Sequence, residues 1–592
     1  MHALTIIITV SLVFALAYRF YAKFIITKIL VIDDSRKTPA YTLRDGRDYH
    51  PTNKWVLFGH HFAAIAGAGP LVGPVLAAQF GYLPGLLWIL IGAVLGGAVH
   101  DVVILFISVR NDGLSLTHIA KKEVGPVTSI ATAFAILFII ITALSGLALV
   151  VVNALSESAW ATFTIAVTIP AALLVGLYMY KIRPGKIVEA SVLGVVIVMA
   201  GVIFGEPISH TAFGQLFIFS KPTLSLMLPV YGFIASVLPV WLLLCPRDYL
   251  SSYMKIGTIL LLAVGLVVIN PKLQVPALTQ FISGGGPIIP GKVWPFVCIT
   301  IACGAISGFH SLIGSGTTPK MISRESDIWL IGYGAMLVEG IVALMALIAA
   351  CALIPGDYFA INLKPEIFAK LGMSIGNLPE LEKMVGENLA GRTGGAVSLA
   401  VGMAQIFSSL PGMKTLMSYW YHFVIMFEAL FILTTVDTGT RVARYIIQDI
   451  TKYIYKPLGS STWLPAVIFT SALTSFLWGY MLYNGEISTI WPMFGLANQL
   501  LATLALALGT TYIMRRKGWK YSLVTLIPMI FMLITTITAG IMNIFDNYLP
   551  MKSFQGNLNV GLSFLMIILV LIITVNSVST WIKLIKSPIP LY

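Results

Sequence analysis

The 592-residue sequence is poor in charge, because Asp, Glu, Lys and Arg together supply 10% of its residues while hydrophobic residues supply 58%. An ordinary soluble domain carries roughly a quarter charged residues, so this composition excludes one. The apolar residues come in repeated runs of about 20, the length that crosses a hydrocarbon core as a helix. The chain is therefore predicted to be an all-α integral membrane protein.

Motifs of metal, redox and hydrolytic chemistry are also missing. The four cysteines, Cys245, Cys298, Cys303 and Cys351, form no CxxC pair and lie in or beside apolar runs, so they are interpreted as small buried hydrophobes. No HExxH motif and no soluble catalytic domain occur. We therefore expect no enzyme activity, no metal and no cofactor beyond a coupling ion such as H⁺ or Na⁺.

The net charge of +13 does not indicate a nucleic-acid partner, because the basic residues sit in short loops between apolar runs. Lys and Arg concentrate in alternate loops, which predicts the N-terminus outside and the C-terminus inside. This assignment requires the segment 394–412 to be re-entrant or interfacial. About fifteen transmembrane helices are then predicted, near 4–27, 57–81, 85–109, 127–152, 158–180, 187–204, 227–245, 255–270, 295–316, 327–353, 416–436, 462–480, 489–509, 521–541 and 562–582.

Two of these predicted spans, 57–81 and 227–245, are interrupted by glycine and proline, start from opposite sides of the membrane and would be equivalent in an inverted repeat. A broken helix frees backbone groups, and paired breaks are typical of a transporter's midplane site. The predicted substrate-binding residues are Gly67, Ala68, Gly69, Pro70, Ser236 and Pro239. The predicted parts of the chain are an N-terminal span and loop (1–54), a core (55–436, with halves 57–204 and 227–436), an amphipathic cytoplasmic segment (437–461) and accessory helices (462–592).

Ionisable and hydroxyl side chains within spans mark candidate ion or proton paths. The predicted coupling residues are His61, Asp101, Ser307, His310, Ser311, Glu339 and Glu428. Two of His60, His61 and His310 are expected to face each other across the pathway, where an imidazole can change charge near neutral pH. Ser307 and Ser311 are four apart on a predicted helix face, where hydroxyls can ligate Na⁺. Structural alternatives stay open, among them serines bonded to their own backbone and a buried ion pair at Asp101.

The motif "DTGTRVARYIIQD" begins where a predicted span ends. Asp437 is predicted to cap an amphipathic helix on the inner surface, and Arg441 and Arg444 lie on it. These three residues are interpreted as part of an inner-surface helix or gate, and direct substrate binding stays open as the alternative. The motif "FGLANQLLA" places Asn498 and Gln499 inside another span, where amides are expected to hydrogen-bond between helices.

Six motifs in order, "HHFAAIAGAGPLVGPVLAAQFGYLPG", "GGAVHD", "SGFHSLIGSGTTP", "IGYGAMLVEGIVALMALIAA", "DTGTRVARYIIQD" and "WPMFGLANQLLA", closely resemble the carbon starvation protein A family of bacterial and archaeal inner-membrane transporters. The resemblance runs from about Lys54 to Leu501. It implies a leucine-transporter-like core of five plus five helices, with discontinuous first helices in each half, in the amino acid, polyamine and organocation superfamily. It also implies uptake of pyruvate or small peptides during carbon starvation, coupled to protons.

Other interpretations stay open from the sequence. A sodium-coupled symporter of the same fold is one. Nine histidines in a membrane chain also allow an intramembrane redox or haem protein, and a transporter scaffold can serve as a channel or nutrient sensor. In the favoured interpretation the partners are a small anionic or zwitterionic substrate and the lipid bilayer, with no nucleic acid.

Overall fold

The computed structural model describes residues 1–45, 49–67, 69–183, 186–239, 243–452, 454–460 and 463–586. Within these ranges the chain is helical, and its only extended pairings are two isolated bridges. Helices satisfy every backbone group within one segment, which is what a hydrocarbon environment demands. The predicted all-α membrane class is therefore confirmed.

Among the described residues, eleven helices are long and apolar enough to cross a membrane. A bent pair, Lys54–Ile65 with Gly69–Phe80, makes a twelfth if it is counted as one span. The eleven are Ala3–Leu30, Tyr82–Arg110, Pro126–Leu155, Ala159–Leu177, Glu189–Ser209, Trp329–Cys351, Lys414–Thr451, Leu464–Asn484, Ile487–Lys517, Trp519–Met551 and Phe554–Lys586.

Three of the fifteen predicted spans do not appear as long apolar helices. The predicted spans 227–245 and 255–270 correspond to a helix Lys221–Val237 and a second helix Leu244–Ile269, which begins with polar and charged residues. The predicted span 295–316 is split into Val293–Thr300 and Phe309–Gly314. The prediction of fifteen membrane-spanning helices is thus not confirmed.

The largest difference in helix length concerns Met417–Thr451, a single helix of 35 residues. The sequence predicted a span that ends at 436 and a separate surface helix from 437. The helix continues because its sequence contains no proline and its one glycine, Gly439, packs closely against Leu144. Shorter helices include Leu116–Glu123, Pro355–Asn362, Leu378–Val385 and Ala396–Ser408.

The chain forms two compact units. The first unit comprises Met1–Leu4, Ile140–Pro276 and Met345–Ile490, and the second unit comprises Thr5–Ile139, Ala277–Leu344 and Trp491–Tyr592. Each contains one of the two predicted helix breaks.

Candidate functional site

The second unit contains the first predicted break, residues 66–68, between Lys54–Ile65 and Gly69–Phe80, which are bent by 47°. The Gly67 N–H donates to the Ile65 carbonyl at 2.8 Å, and Pro70 has no N–H to donate. A Cβ added at Gly69 would lie 2.6 Å from the Cβ of Cys303, so this close approach requires glycine. The break is confirmed, while the binding role of Gly67, Gly69 and Pro70 stays a prediction and Ala68 lies outside the described residues.

A further break, residues 301–308, separates Val293–Thr300 from Phe309–Gly314 in the same unit. Side chains from other helices satisfy its freed carbonyls. Trp491 Nε1 donates to the carbonyl of Thr300 at 3.2 Å, and Trp88 Nε1 donates to that of Ile301 at 3.0 Å. Since a backbone carbonyl inside a membrane protein needs a partner, these donors make the interruption a stable part of the fold.

Asn498 holds the other side of the 301–308 break. Its Oδ1 accepts from the Phe309 N–H at 3.0 Å, and its Nδ2 lies 3.1 Å from Ser307 Oγ. Ser311 Oγ instead donates to the Gly308 carbonyl at 2.6 Å. Because the helix begins only at Phe309, Ser307 and Ser311 do not share a helix face, and their hydroxyls have different partners. The interhelical role predicted for Asn498 is confirmed; the sodium site stays a prediction.

His310 follows this break and lies between two carboxylates. Its Nδ1 is 2.8 Å from Asp101 Oδ2, and its Nε2 is 3.1 Å from Glu339 Oε2. The second oxygen of Asp101 is 2.6 Å from His100 Nδ1. None of the three central side chains is more than 3% exposed. We call Asp101, His310 and Glu339 the carboxylate–histidine cluster.

The contacts at both ring nitrogens of His310 constrain the protons of this cluster. A neutral imidazole has one N–H, whereas an imidazolium has two. Asp101 Oδ2 lies within hydrogen-bond reach of Nδ1. Glu339 Oε2 approaches Nε2 to ion-pair distance without hydrogen-bond geometry, and neither Glu339 oxygen has a hydrogen-bond partner among the described residues. A protonated, positively charged ring would offset charge on both carboxylates. The cluster can therefore exist in two states. In one, a neutral ring lies beside two ionised carboxylates, and in the other the same groups hold one additional exchangeable proton.

Cys303 adjoins both the cluster and the 66–68 break. Its Sγ is 3.6 Å from His310 Nε2 and 3.9 Å from the Ile65 carbonyl. The ligand atoms of Cys303, His310 and Glu339 lie within 4.8 Å of one another, a composition that could hold a soft cation in place of a proton. The expectation that the protein binds no metal stays a prediction. Sequence reasoning missed that Cys303 contacts the carboxylate–histidine cluster, although Cys303 lies seven residues before His310.

His61 is buried in the same unit, with different partners from those predicted. Its Nδ1 lies 2.8 Å from Thr318 Oγ1, and its Nε2 has no hydrogen-bond partner among the described residues. His310 engages Asp101 and Glu339 rather than His61. A transport role for His61 stays a prediction.

The first unit contains the other predicted break. The helix Lys221–Val237 ends there, Leu238 is extended and the next helix starts at Leu244. Ser236 is fully buried, with its Oγ 3.0 Å from Ser471 Oγ, whereas Pro239 is exposed. We call the interruption between Val237 and Leu244 the 238–243 break, of which the structure describes Leu238, Pro239 and Leu243. A substrate-binding role for Ser236 and Pro239 stays a prediction.

Two arginines bind the carbonyls at the end of that helix. Arg441 Nη2 donates to Ala235 O at 2.7 Å and to Leu238 O at 2.6 Å, and Arg444 Nη1 donates to Ser236 O at 2.6 Å. These carbonyls have no partner in their own helix, and positive charge is favourable at a helix C-terminus. The prediction of an exposed surface helix is wrong here because both arginines are buried against the break. Their gating role stays a prediction.

Asp437 does not cap a helix, in contrast to the prediction. It lies inside Met417–Thr451, where its Oδ2 accepts from Tyr231 Oη at 2.8 Å and from Arg247 Nη1 at 3.2 Å. Sequence reasoning missed Tyr231 and Arg247. An arginine inside an otherwise apolar stretch was the available signal, since such a residue needs a buried partner.

Glu428 is on the same long helix and is 2% exposed. Neither carboxyl oxygen has a hydrogen-bond partner among the residues that the structure describes. Glu428 belongs neither to the carboxylate–histidine cluster nor to the group formed by Asp437, Arg247, Arg441 and Arg444. Its coupling role stays a prediction.

Comparison with known proteins decides the family. The family model described as "Carbon starvation protein CstA" matches residues 2–539. The chain belongs to the CstA family. A CstA-family relative in Bacillus subtilis, named a peptide transporter, is 52% identical over 99% of this chain and 98% of its own length. Another in Escherichia coli, named a pyruvate/proton symporter, is 45% identical over 93% of this chain and 83% of its own length.

CstA-family membership confirms the resemblance found in the sequence motifs and the prediction of a multi-pass membrane transporter. Among solved structures, a mutant of a manganese transporter from Eremococcus coleocola aligns over 88% of this chain and 94% of its own, with 12% identity and a TM-score of 0.38.

Proposed function

We propose that this protein is a secondary active transporter that imports pyruvate or a small peptide across the cytoplasmic membrane together with protons, as a carbon-limited cell requires. Relatives that are 52% and 45% identical are named a peptide transporter and a pyruvate/proton symporter. Pyruvate is an anion, so symport with one proton would make its import electroneutral, whereas a zwitterionic peptide would be carried inward with the positive charge of the proton.

The observation that carries the proton part of the proposal is His310 between Asp101 and Glu339. Inside a membrane protein an ionisable group is costly and is usually tied to an ion path. When the cluster loses one proton, a neutral His310 no longer offers positive charge to both carboxylates and keeps one ring N–H. Protonation and the positions of these side chains are therefore linked.

Proton binding is coupled to the helix break through Cys303. The thiol contacts His310 on one side and the Ile65 carbonyl on the other, and its Cβ leaves no room for a side chain at Gly69. Close-packed contacts of this kind transmit a shift rather than absorb it. We infer that a rearrangement at His310 moves the 66–68 break and so changes access to the substrate site.

We also infer about fifteen membrane crossings, with the N-terminus outside, the C-terminus in the cytoplasm and a leucine-transporter-like core of five plus five helices. Two features support this topology: the first helix of each inferred half is interrupted, at 66–68 and 238–243, and Lys and Arg concentrate in alternate loops.

The test is uptake by purified protein in proteoliposomes, with proton and sodium gradients imposed separately. We expect labelled pyruvate or a labelled dipeptide to accumulate above its equilibrium level under an inward proton gradient, without sodium. Glu339→Gln and Asp101→Asn should lose accumulation, whereas Asp546→Asn, which changes an exposed carboxylate, should keep it. Transport of neither substrate, or accumulation driven only by sodium, would overturn the proposal.

A further inference from the structure

We infer that Arg441 and Arg444 form the anchor for the substrate carboxylate, an inference that rests on the proposed function and adds the residues that recognise the substrate. It starts from the donors that the two side chains leave unused. A guanidinium has five N–H groups. Arg441 Nη2 donates to the carbonyls of Ala235 and Leu238, and Arg444 Nη1 donates to that of Ser236, while the Arg444 guanidinium also lies over the Tyr445 ring. The Nε atoms of both arginines are buried without a hydrogen-bond partner in the described part of the chain.

The charges around the two arginines are also unbalanced. Asp437 pairs with Arg247 at 3.2 Å. Arg441 and Arg444 form no ion pair with any described carboxylate, although both are at least nine-tenths buried. They are three residues apart, hence on one face of the helix. Two like charges held together away from water need an anion between them or beside them.

The location of the arginines fits a substrate rather than a structural anion. Both are fixed by the carbonyls of Ala235, Ser236 and Leu238 at the end of a helix that stops inside the fold. Such interruptions are where transporters of interrupted-helix type bind polar substrates. Arginine is also the side chain best shaped to take a carboxylate through two parallel hydrogen bonds.

A carboxylate anchor accounts for substrates as different as pyruvate and a peptide. Both present a carboxylate beside a carbon that bears the rest of the molecule. The arginines would recognise the shared group, and the remainder would be recognised by other residues. The same anchor predicts that an amide in place of the carboxylate binds poorly.

The test compares two probes, pyruvate and its amide, by binding to purified protein in detergent. Hydrogen bonds to charged groups are worth roughly tenfold to a hundredfold in affinity each, so the wild-type protein should prefer pyruvate by at least about tenfold. Arg441→Gln and Arg444→Gln should each reduce that preference to within about threefold. Arg516→Gln, a partly exposed arginine paired with Glu123, should leave the preference unchanged.

The preference ratio also distinguishes an anchor from a helix cap, because a cap variant lowers thermal stability and keeps the ratio. If a glutamine variant does not fold, Arg441→Lys and Arg444→Lys keep the charge and should show an intermediate ratio. A wild-type ratio in folded Arg441 and Arg444 variants would overturn this inference and leave the proposed function intact. Failure of the wild-type protein to bind or transport pyruvate and dipeptide alike would overturn both.

Discussion

The two buried polar clusters of this protein carry opposite excesses of charge. In the second unit, two carboxylates, Asp101 and Glu339, share one histidine. In the first unit, Arg441 and Arg444 lie beside an Arg247–Asp437 pair and have no described carboxylate of their own. Since burying unbalanced charge is costly, we propose that each cluster takes a ligand, a proton in one case and a carboxylate in the other. Symport of an acid with a proton needs both.

The largest expected effect comes from removing the shared histidine. His310→Gln leaves Asp101 and Glu339 without their common donor, and breaking a buried pair in this way costs about 3–5 kcal/mol. Gradient-driven uptake should fall to the level of empty liposomes, and thermal unfolding of the purified protein should occur at a lower temperature. His210→Gln, at an exposed histidine, is the matched control. Uptake at the wild-type level by His310→Gln would contradict the comparison, because the cluster with excess carboxylates would then not need its histidine for transport.

A smaller effect is expected on the arginine side from Asp437→Asn. The amide oxygen can still accept from Tyr231 Oη, so the main loss is the charge that balances Arg247. Stability should fall by about 1.5–3 kcal/mol, the usual value of a hydrogen bond to a charged group. Thermal unfolding measures this, with Asp449→Asn on the exposed face of the same helix as control. Equal melting temperatures of the two variants would argue against a buried ion pair.

The close approach at the 66–68 break is tested by Gly69→Ala. A methyl group there would lie 2.6 Å from the Cβ of Cys303, and overpacking of this kind costs about 1–3 kcal/mol. Uptake should fall together with stability, because Cys303 contacts both the 66–68 break and the carboxylate–histidine cluster. Gly59→Ala on the adjoining helix meets nothing within 4 Å and should be neutral or stabilising by up to about 1 kcal/mol. If Gly69→Ala behaves like Gly59→Ala, the coupling through Cys303 is wrong.

The smallest effect concerns pH and a carboxylate outside the membrane spans, Glu387. Burial raises the pKa of Glu387, but the hydrogen bond and charge of His422 and the charge of Arg392 outweigh it and lower the pKa to about 2. Because the folded-state pKa lies below the ordinary 4.5, its contribution to stability is complete above about pH 4.5 and is lost as the pH falls towards 2.

Melting curves of the wild type and of Glu387→Gln should therefore differ above about pH 4.5 and converge as the pH falls below it. Because Glu387 stays ionised between about pH 5 and pH 8, its own titration adds nothing to the pH dependence of transport in that range. A Glu387→Gln variant with an altered transport profile in that range would contradict this expectation.

Several parts of the fold could be predicted from the sequence because they depend on local chemistry. Clustered glycine and proline weaken a helix, which predicts a break in this span; the break lies at 66–68, while Gly69–Ala77 stays helical despite Gly73 and Pro74. Amides inside a span must find partners, as Asn498 does with Ser307 and Gln499 does with the Cys298 carbonyl at 2.5 Å. Asp101, His310 and Glu339 were each identified because an ionisable residue inside a span is conspicuous.

What the sequence could not provide was which of these residues meet. Asp101, His310 and Glu339 lie far apart in the chain, and their contacts depend on how three helices pack. Cys303 was overlooked because a thiol in an apolar run usually is only a small buried residue. The arginines were misplaced because charge along "TRVARY" resembles a surface helix until a helix end with free carbonyls is brought against it.

Proton movement driven by substrate is the most direct test of the claim that the carboxylate–histidine cluster carries the proton. Proteoliposomes without a pH gradient are given an inward gradient of a dipeptide, and lumenal pH is followed with an enclosed dye, with protein-free liposomes as the control. The wild-type protein should acidify the lumen, whereas Glu339→Gln should carry out dipeptide exchange without acidification. Acidification at the wild-type rate by Glu339→Gln would contradict the assignment of the proton to this cluster.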